Sequence, residues 1–326
     1  MSTSLAVTLP KVTMKLQDSP TQQTWRFVDI KISWKHFLGL HDLKSSAVWR
    51  ASLIEMVFMG FFVFGSIIIS MGSHMHFSSP TVGSAFFHFL MLGIFVRASN
   101  PPSDAQINPT VTLCAVLSGL YTPAKGLLYI LAQSFGSIVG ALCAKTLLPV
   151  EEVHRKHLAG CVFRNSTAGL NSHQAFISEF IFSLILVYMN IMVPVDPKQF
   201  QLMGLQFAPF YIGMIAALCI YVSGSIAPGY GGAFMNPARC IGPAAAFGGA
   251  ELLDNLWIFL FAPVLAAVVA AALYRGIPPD HRRSASESNV DDQYRGKGKS
   301  FGYGDEEAGL ALSADSGSKQ VQHHEA

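Results

Sequence analysis

The 326-residue chain is 51% hydrophobic and only 13% charged, with a formal net charge of +2. A globular domain carries roughly 25% charged residues; here the mean hydropathy is +0.40, and the apolar residues gather in runs near the roughly 20 that a spanning helix needs. The chain reads as an integral membrane protein, and a small net charge with most basic residues in the tails excludes a nucleic-acid partner.

In chain order, Met1–Pro20 reads as disordered, and Trp25–Leu43 mixes aromatics with basic residues in the manner of an interfacial segment. The basic excess before Ser46 puts this end in the cytosol. The expected first span, Val48–Ser70, carries Glu55, which either faces the bundle interior, as costly intramembrane carboxylates do, or sits in a frayed helix start among headgroups. Gly72–Thr81 reads as an outer loop, Val82–Ala98 as the second span, and Ser99–Gln106 as a turn-rich loop. Asn108-Pro109 then opens a short apolar run, Pro109–Leu117, too brief to span a bilayer. Asparagine is a good N-cap and proline suits the first helical position, so the run reads as a half-helix.

The third span is expected at Pro123–Leu148, with Gly126, Gly136, Gly140 and Ala144 at small-residue spacings that allow close helix approach. A long loop, Pro149–His173, leads to the fourth span, Gln174–Val193, which carries Glu179 near its start. The fifth span, Leu202–Val222, returns the chain to a second half-helix, Pro237–Phe247, opened by Asn236-Pro237. Leu252–Tyr274 is the last span, and everything from Pro278 reads as a disordered tail. The domain plan is therefore a cytosolic segment 1–46, a channel domain 47–276 and a cytosolic tail 277–326.

This order repeats: a span with a glutamate, a span, an Asn-Pro half-helix and a span, in about 47–148 and again in about 174–276. Three spans per half is odd, so the halves insert with opposite topology and the half-helices meet near the midplane. The fold class is an all-α membrane protein, six transmembrane helices plus two re-entrant half-helices in an inverted repeat. Arg239, just inside the second half-helix, is too costly to face lipid and should face a pore; the alternative is an interfacial anchor. The five cysteines include no CxxC pair and describe no disulfide framework; Cys114, Cys143 and Cys219 read as small core residues. Cys161 follows His154 and His157 in a spacing that could hold a metal, could bridge two subunits, or could simply be a solvated loop. Asn165-Ser166-Thr167 is a glycosylation acceptor pattern, and Ser284 and Ser286 after Arg282-Arg283 resemble phosphorylation sites.

Glu55, Glu179, the two Asn-Pro motifs, the run AQSFGSIVGA with Gln133 and the block Gly231–Pro243 together resemble the major intrinsic proteins, the aquaporin and aquaglyceroporin superfamily. Cys240 after Asn-Pro-Ala-Arg, and Thr110 after Asn108-Pro109, look most like its X intrinsic proteins. The first motif departs from the usual pattern at Thr110 and in its lead-in, Ser103-Asp104-Ala105-Gln106. The resemblance implies an aquaporin-like fold, a homotetramer with one pore per subunit, and a plasma-membrane location. It makes Asn108, Pro109, Thr110, Asn236, Pro237 and Ala238 the pore motifs, and Glu55, Glu179 and Gln133 their structural support.

By the same resemblance, counting back from the asparagines makes His88, Gly224, Ala233 and Arg239 the selectivity filter. A one-residue change in the count substitutes Phe87 or Phe89 for His88, whose alternative is a core histidine bonded to a carbonyl. Gly224 and Ala233 would leave room beside Arg239 for solutes wider than water. Cys240 reads either as packing behind the half-helix or as a site for mercurials and oxidants. The expected function is passive flow of glycerol, urea, hydrogen peroxide and boric acid with some water, excluding ions and protons, with no catalysis, cofactor or resident metal. A water-selective pore and a coupled secondary transporter are the alternatives.

Overall fold

The computed structural model describes residues 13–14, 26–27, 34–162, 169–195, 197–227 and 230–276. Asn165, Ser284 and Ser286 lie outside these residues. Thr13–Met14 (β1) and Arg26–Phe27 (β2) pair as a short antiparallel ladder, so part of the Met1–Pro20 stretch is extended rather than without structure. Thr and Phe are residues that favour strands.

The remaining elements are helical. A single turn, α1 (Trp34–Phe37), precedes α2 (Ser46–His76), α3 (Pro80–Ser103), the half-helix α4 (Pro109–Leu117) and α5 (Pro123–Leu147). A short α6 (Val150–Arg155) leads to α7 (Ser172–Val195), α8 (Pro197–Gly224), the half-helix α9 (Pro237–Phe247), a turn α10 (Ala250–Asp254) and α11 (Leu256–Gly276). Six of the described helices, α2, α3, α5, α7, α8 and α11, contain windows long and apolar enough to cross a membrane. Each half-helix is capped as its sequence dictates: the Asn108 and Asn236 side chains accept from the Thr110 and Arg239 N–H groups.

The packing obeys the repeat. α2 packs on α5 as α7 packs on α11, and each half-helix crosses to the opposite half, α4 against α11 and α9 against α5. Close approach is set by glycine. A Cβ on Gly136 would fall on the Met56 carbonyl oxygen, and one on Gly140 on the Gly60 carbonyl oxygen. A Cβ on Gly242 would likewise meet Ser137, whose hydroxyl donates to the Ala238 carbonyl. The outward faces carry Phe61, Leu131, Phe135 and Phe261 exposed, which suits lipid rather than water. Cys143 lies on that outward face of α5 with Phe135, Val139 and Leu142, whereas Cys114 and Cys219 are buried. The turns of α5 that pack inward are occupied by Gly136, Gly140 and Ala144, so Cys143 is not a core residue.

Three loop assignments change. α2 continues to His76 and α3 starts at Pro80, which reduces the Gly72–Thr81 loop to a few residues. α3 also runs through Asn100-Pro101-Pro102 to Ser103, although the two prolines remove two backbone donors. Along the same stretch Ser99 donates its hydroxyl to the Phe95 carbonyl and Ser103 to the Ser99 carbonyl. The long Pro149–His173 loop holds α6 and a 3-10 turn, His157–Ala159.

Candidate functional site

Each half-helix is entered through a residue in the left-handed region, Ile107 at φ 45° before Asn108 and Met235 at φ 58° before Asn236. Such a conformation costs a non-glycine residue about 1–3 kcal/mol, so the surroundings must hold it. Glu55 and Glu179 do this. Glu55 accepts from the N–H groups of Gln106 (3.0 Å) and Ile107 (2.7 Å), and also from Ser103 Oγ (2.8 Å) and Gln133 Nε2 (2.8 Å). Glu179 accepts from the N–H groups of Phe234 (2.9 Å) and Met235. Both carboxylates are fully buried, and their bonds satisfy loop amides that would otherwise be unpaired at membrane depth.

The two loops are also stitched to each other. Asn108 Nδ2 donates to the Met235 carbonyl and Asn236 Nδ2 to the Ile107 carbonyl, both at 2.9 Å. The left-handed residues thus give their N–H to a glutamate and their C=O to the opposite asparagine. Each amide has a second hydrogen, and both asparagines line a cavity of about 100 Å³ between the half-helix tips and the surrounding spans.

His88, Ala233 and Arg239 line the same cavity. His88 Nδ1 lies 2.7 Å from the Ser84 carbonyl, which can only accept, so Nδ1 carries the ring hydrogen. In the neutral ring Nε2 then accepts from Ser66 Oγ at 2.9 Å. His88 is therefore both carbonyl-bonded and a lining residue, while Phe87 is exposed on the outside. Arg239 is 4% exposed; its Nη2 donates to the Ala159 carbonyl at 2.9 Å, and its guanidinium lies 5.6 Å from the centre of the Phe234 ring. Its Nη1 has no protein partner among the described residues.

Gly224 is not among the described residues that line this cavity. It is the last residue of α8, and a Cβ there would point at Thr81 of α3. The α8 residues that line the cavity are Ile212, Ala216 and Ile220. They recur every four residues on one helical face, and Gly224 continues that face one turn beyond Ile220. An isoleucine side chain therefore stands in the cavity next to the position counted as the filter glycine. Pro109, Thr110 and Pro237 do not line this cavity but a second one of about 210 Å³ behind the half-helices. Ala238 is fully buried against Ser137.

The cysteines also change role. Cys161 and Cys240 form a disulfide within the chain, so Cys161 is neither a metal ligand nor a subunit bridge, and Cys240 offers no free thiol. The 3-10 turn His157–Ala159 folds the loop back over α9, which brings two cysteines 79 residues apart together. On the other side of the half-helix pair, Asp104 (φ 65°) and Ala105 (φ 49°) turn the chain into α4. Asp104 accepts from Tyr121 (2.6 Å) and Lys125 (3.1 Å); burial and this carboxylate push the Tyr121 hydroxyl above its ordinary range.

Sequence reasoning missed Ile220, the Ala159 carbonyl and Asn190 of α7, which also lines the cavity. Only Ile220 left a signal, the four-residue spacing of Ile212, Ala216 and Ile220.

A six-span bundle with two half-helices meeting at a cavity lined by apolar side chains and a few polar donors is the architecture of a membrane channel. The chain belongs to the major intrinsic protein family, whose family model, described as "Major intrinsic protein", matches residues 42–274. That family comprises passive channels rather than enzymes. Probable aquaporin TIP1-2 of Oryza sativa subsp. japonica is 31% identical over 235 residues, covering 69% of this chain and 85% of the relative. Aquaporin-4 of Notomys alexis is 31% identical over 233 residues, covering 71% and 67%. Among solved structures, that of the aquaglyceroporin from Plasmodium falciparum superposes with a TM-score of 0.59 at 20% identity, covering 71% of this chain and 96% of that one.

Proposed function

We propose that this channel passes water and small uncharged solutes such as hydrogen peroxide, urea, glycerol and boric acid down their gradients, and excludes ions and protons. The lining carries the reading. Alkyl side chains of Ile212, Ala216 and Ile220 stand in one cavity with the donors of Asn108, Asn236 and Arg239, and no carboxylate is among the lining residues. A solute with both C–H and O–H surface can use both walls. A cation meets the guanidinium and two half-helix N-termini, each equivalent to roughly half a positive charge. Such a barrier is the general means by which aquaporin-type pores exclude protons and cations.

His88, Gly224, Ala233 and Arg239 form the filter in this reading, with Ile220 lining the cavity one turn from Gly224. The Ile220 side chain in the cavity favours a second reading, a pore selective for water. Stopped-flow light scattering on proteoliposomes separates the two. Under the first reading the wild type passes glycerol and urea as well as water, and Ile220→Phe lowers glycerol flow about tenfold, the scale of a pocket that must reject extra carbons. Wild-type vesicles that pass water alone establish the second.

In this proposal both termini face the cytosol and the disulfide lies on the oxidising side, where disulfides persist. A homotetramer in the plasma membrane, and kinship with the X intrinsic proteins through Cys240 and Thr110, complete the proposal. Ser284 and Ser286 are regulatory sites in it; a Ser284→Ala, Ser286→Ala variant with wild-type transport and trafficking removes them.

A further inference from the structure

The Cys161–Cys240 disulfide brackets one hydrogen bond at the pore wall. Cys240 directly follows Arg239 on α9, and Cys161 stands two residues after Ala159, whose carbonyl accepts from Arg239 Nη2 at 2.9 Å. This bond anchors the guanidinium among the described residues, because Nη1 has no protein partner there. The turn that presents the carbonyl is strained. His157, Leu158 and Ala159 follow one another at φ 50°, 53° and 47°, a left-handed run that favours glycine and contains none. Each such residue costs about 1–3 kcal/mol, so the run persists only where its ends are fixed. Leu158 is fully buried on one side, and the disulfide fixes the other.

We infer that the Cys161–Cys240 disulfide positions Arg239 in the pore wall by holding the Ala159 carbonyl against its guanidinium, and so sets which solutes pass. The bridge is a positioning element and touches no solute itself. Without it the turn relaxes toward ordinary backbone, the carbonyl withdraws, and the guanidinium keeps the face of Phe234 as its neighbour. The inference rests on the reading of Arg239 as a filter residue.

The test is the glycerol-to-water permeability ratio in proteoliposomes, measured for wild type, Cys161→Ala with Cys240→Ala, Arg239→Ala, and the triple variant. The alanine pair is expected to raise the ratio by about tenfold, the worth of one hydrogen bond to a charged group. In the Arg239→Ala background the same pair should change the ratio no further, since the group it positions is gone. A wild-type ratio in the alanine pair, or an equal shift in the Arg239→Ala background, overturns the inference. A wild-type ratio in Arg239→Ala alone instead overturns the filter reading. Should the alanine pair fail to fold, wild-type protein reduced in detergent before reconstitution, its two thiols verified by alkylation and mass, takes its place with the same two outcomes.

Discussion

Glu55→Ala is expected to lower the thermal midpoint of the detergent-solubilised protein by roughly 10 °C, from a loss of about 3–5 kcal/mol. The substitution removes an acceptor shared by two backbone N–H groups, the Ser103 hydroxyl and the Gln133 amide at once. The buried Ile107 N–H loses its described acceptor outright, while Ser103 keeps the Ser99 carbonyl and Gln133 keeps the Thr112 hydroxyl. Ile107 would also lose the bond that holds it in the left-handed region, and with it the aim of its carbonyl at Asn236. Transport should fail along with stability. Glu179→Ala should be milder, since two loop amides are its described donors. Thermal unfolding followed by tryptophan fluorescence ranks the two; a Glu55→Ala protein as stable as wild type contradicts this account of the loops.

Gly136→Ala and Gly140→Ala should each cost about 1–3 kcal/mol, the usual range for overpacking a tight contact. The added methyl groups meet backbone carbonyls of Met56 and Gly60, which cannot swing aside as a side-chain tip could. α2 and α5 would have to separate, and α5 also supports α9 through Ser137 and Lys145, whose Nζ donates to the Ala246 carbonyl at 2.7 Å. Gly72 is the internal control. A Cβ there meets nothing within 4 Å, so Gly72→Ala should be neutral or stabilising by up to about 1 kcal/mol through helix propensity. Equal losses at Gly72 and Gly136 would refute the packing explanation.

Most of the architecture is legible in the sequence because membrane burial imposes strict rules. Hydropathy marks the spans, the Asn-Pro pairs mark helix starts too short to cross, and two intramembrane glutamates ask for buried donors. What is not legible depends on details with no local sign. Neither Ile107 nor Met235 is a glycine, so nothing in the chain announces the left-handed residues at the loop tips. Proline ordinarily ends a helix, and α3 continues through Pro101 and Pro102 with serine hydroxyls donating back along the helix. That Ile220 lines the cavity depends on which face α8 turns inward, and no single residue announces that face. Cys161 and Cys240 are 79 residues apart, and only the folded turn at His157–Ala159 brings them together.

In the proposed function one chain encloses a passive pore for uncharged solutes between its two half-helices. Wild-type proteoliposomes, exposed in a stopped-flow instrument to outward gradients of water, urea and glycerol with a pH-sensitive dye inside, test it most directly. The account predicts solute flow that rises linearly with the gradient, does not saturate, ignores an imposed pH difference and leaves the internal pH unchanged. Flow that saturates and follows the proton gradient would contradict it and make the protein a coupled transporter.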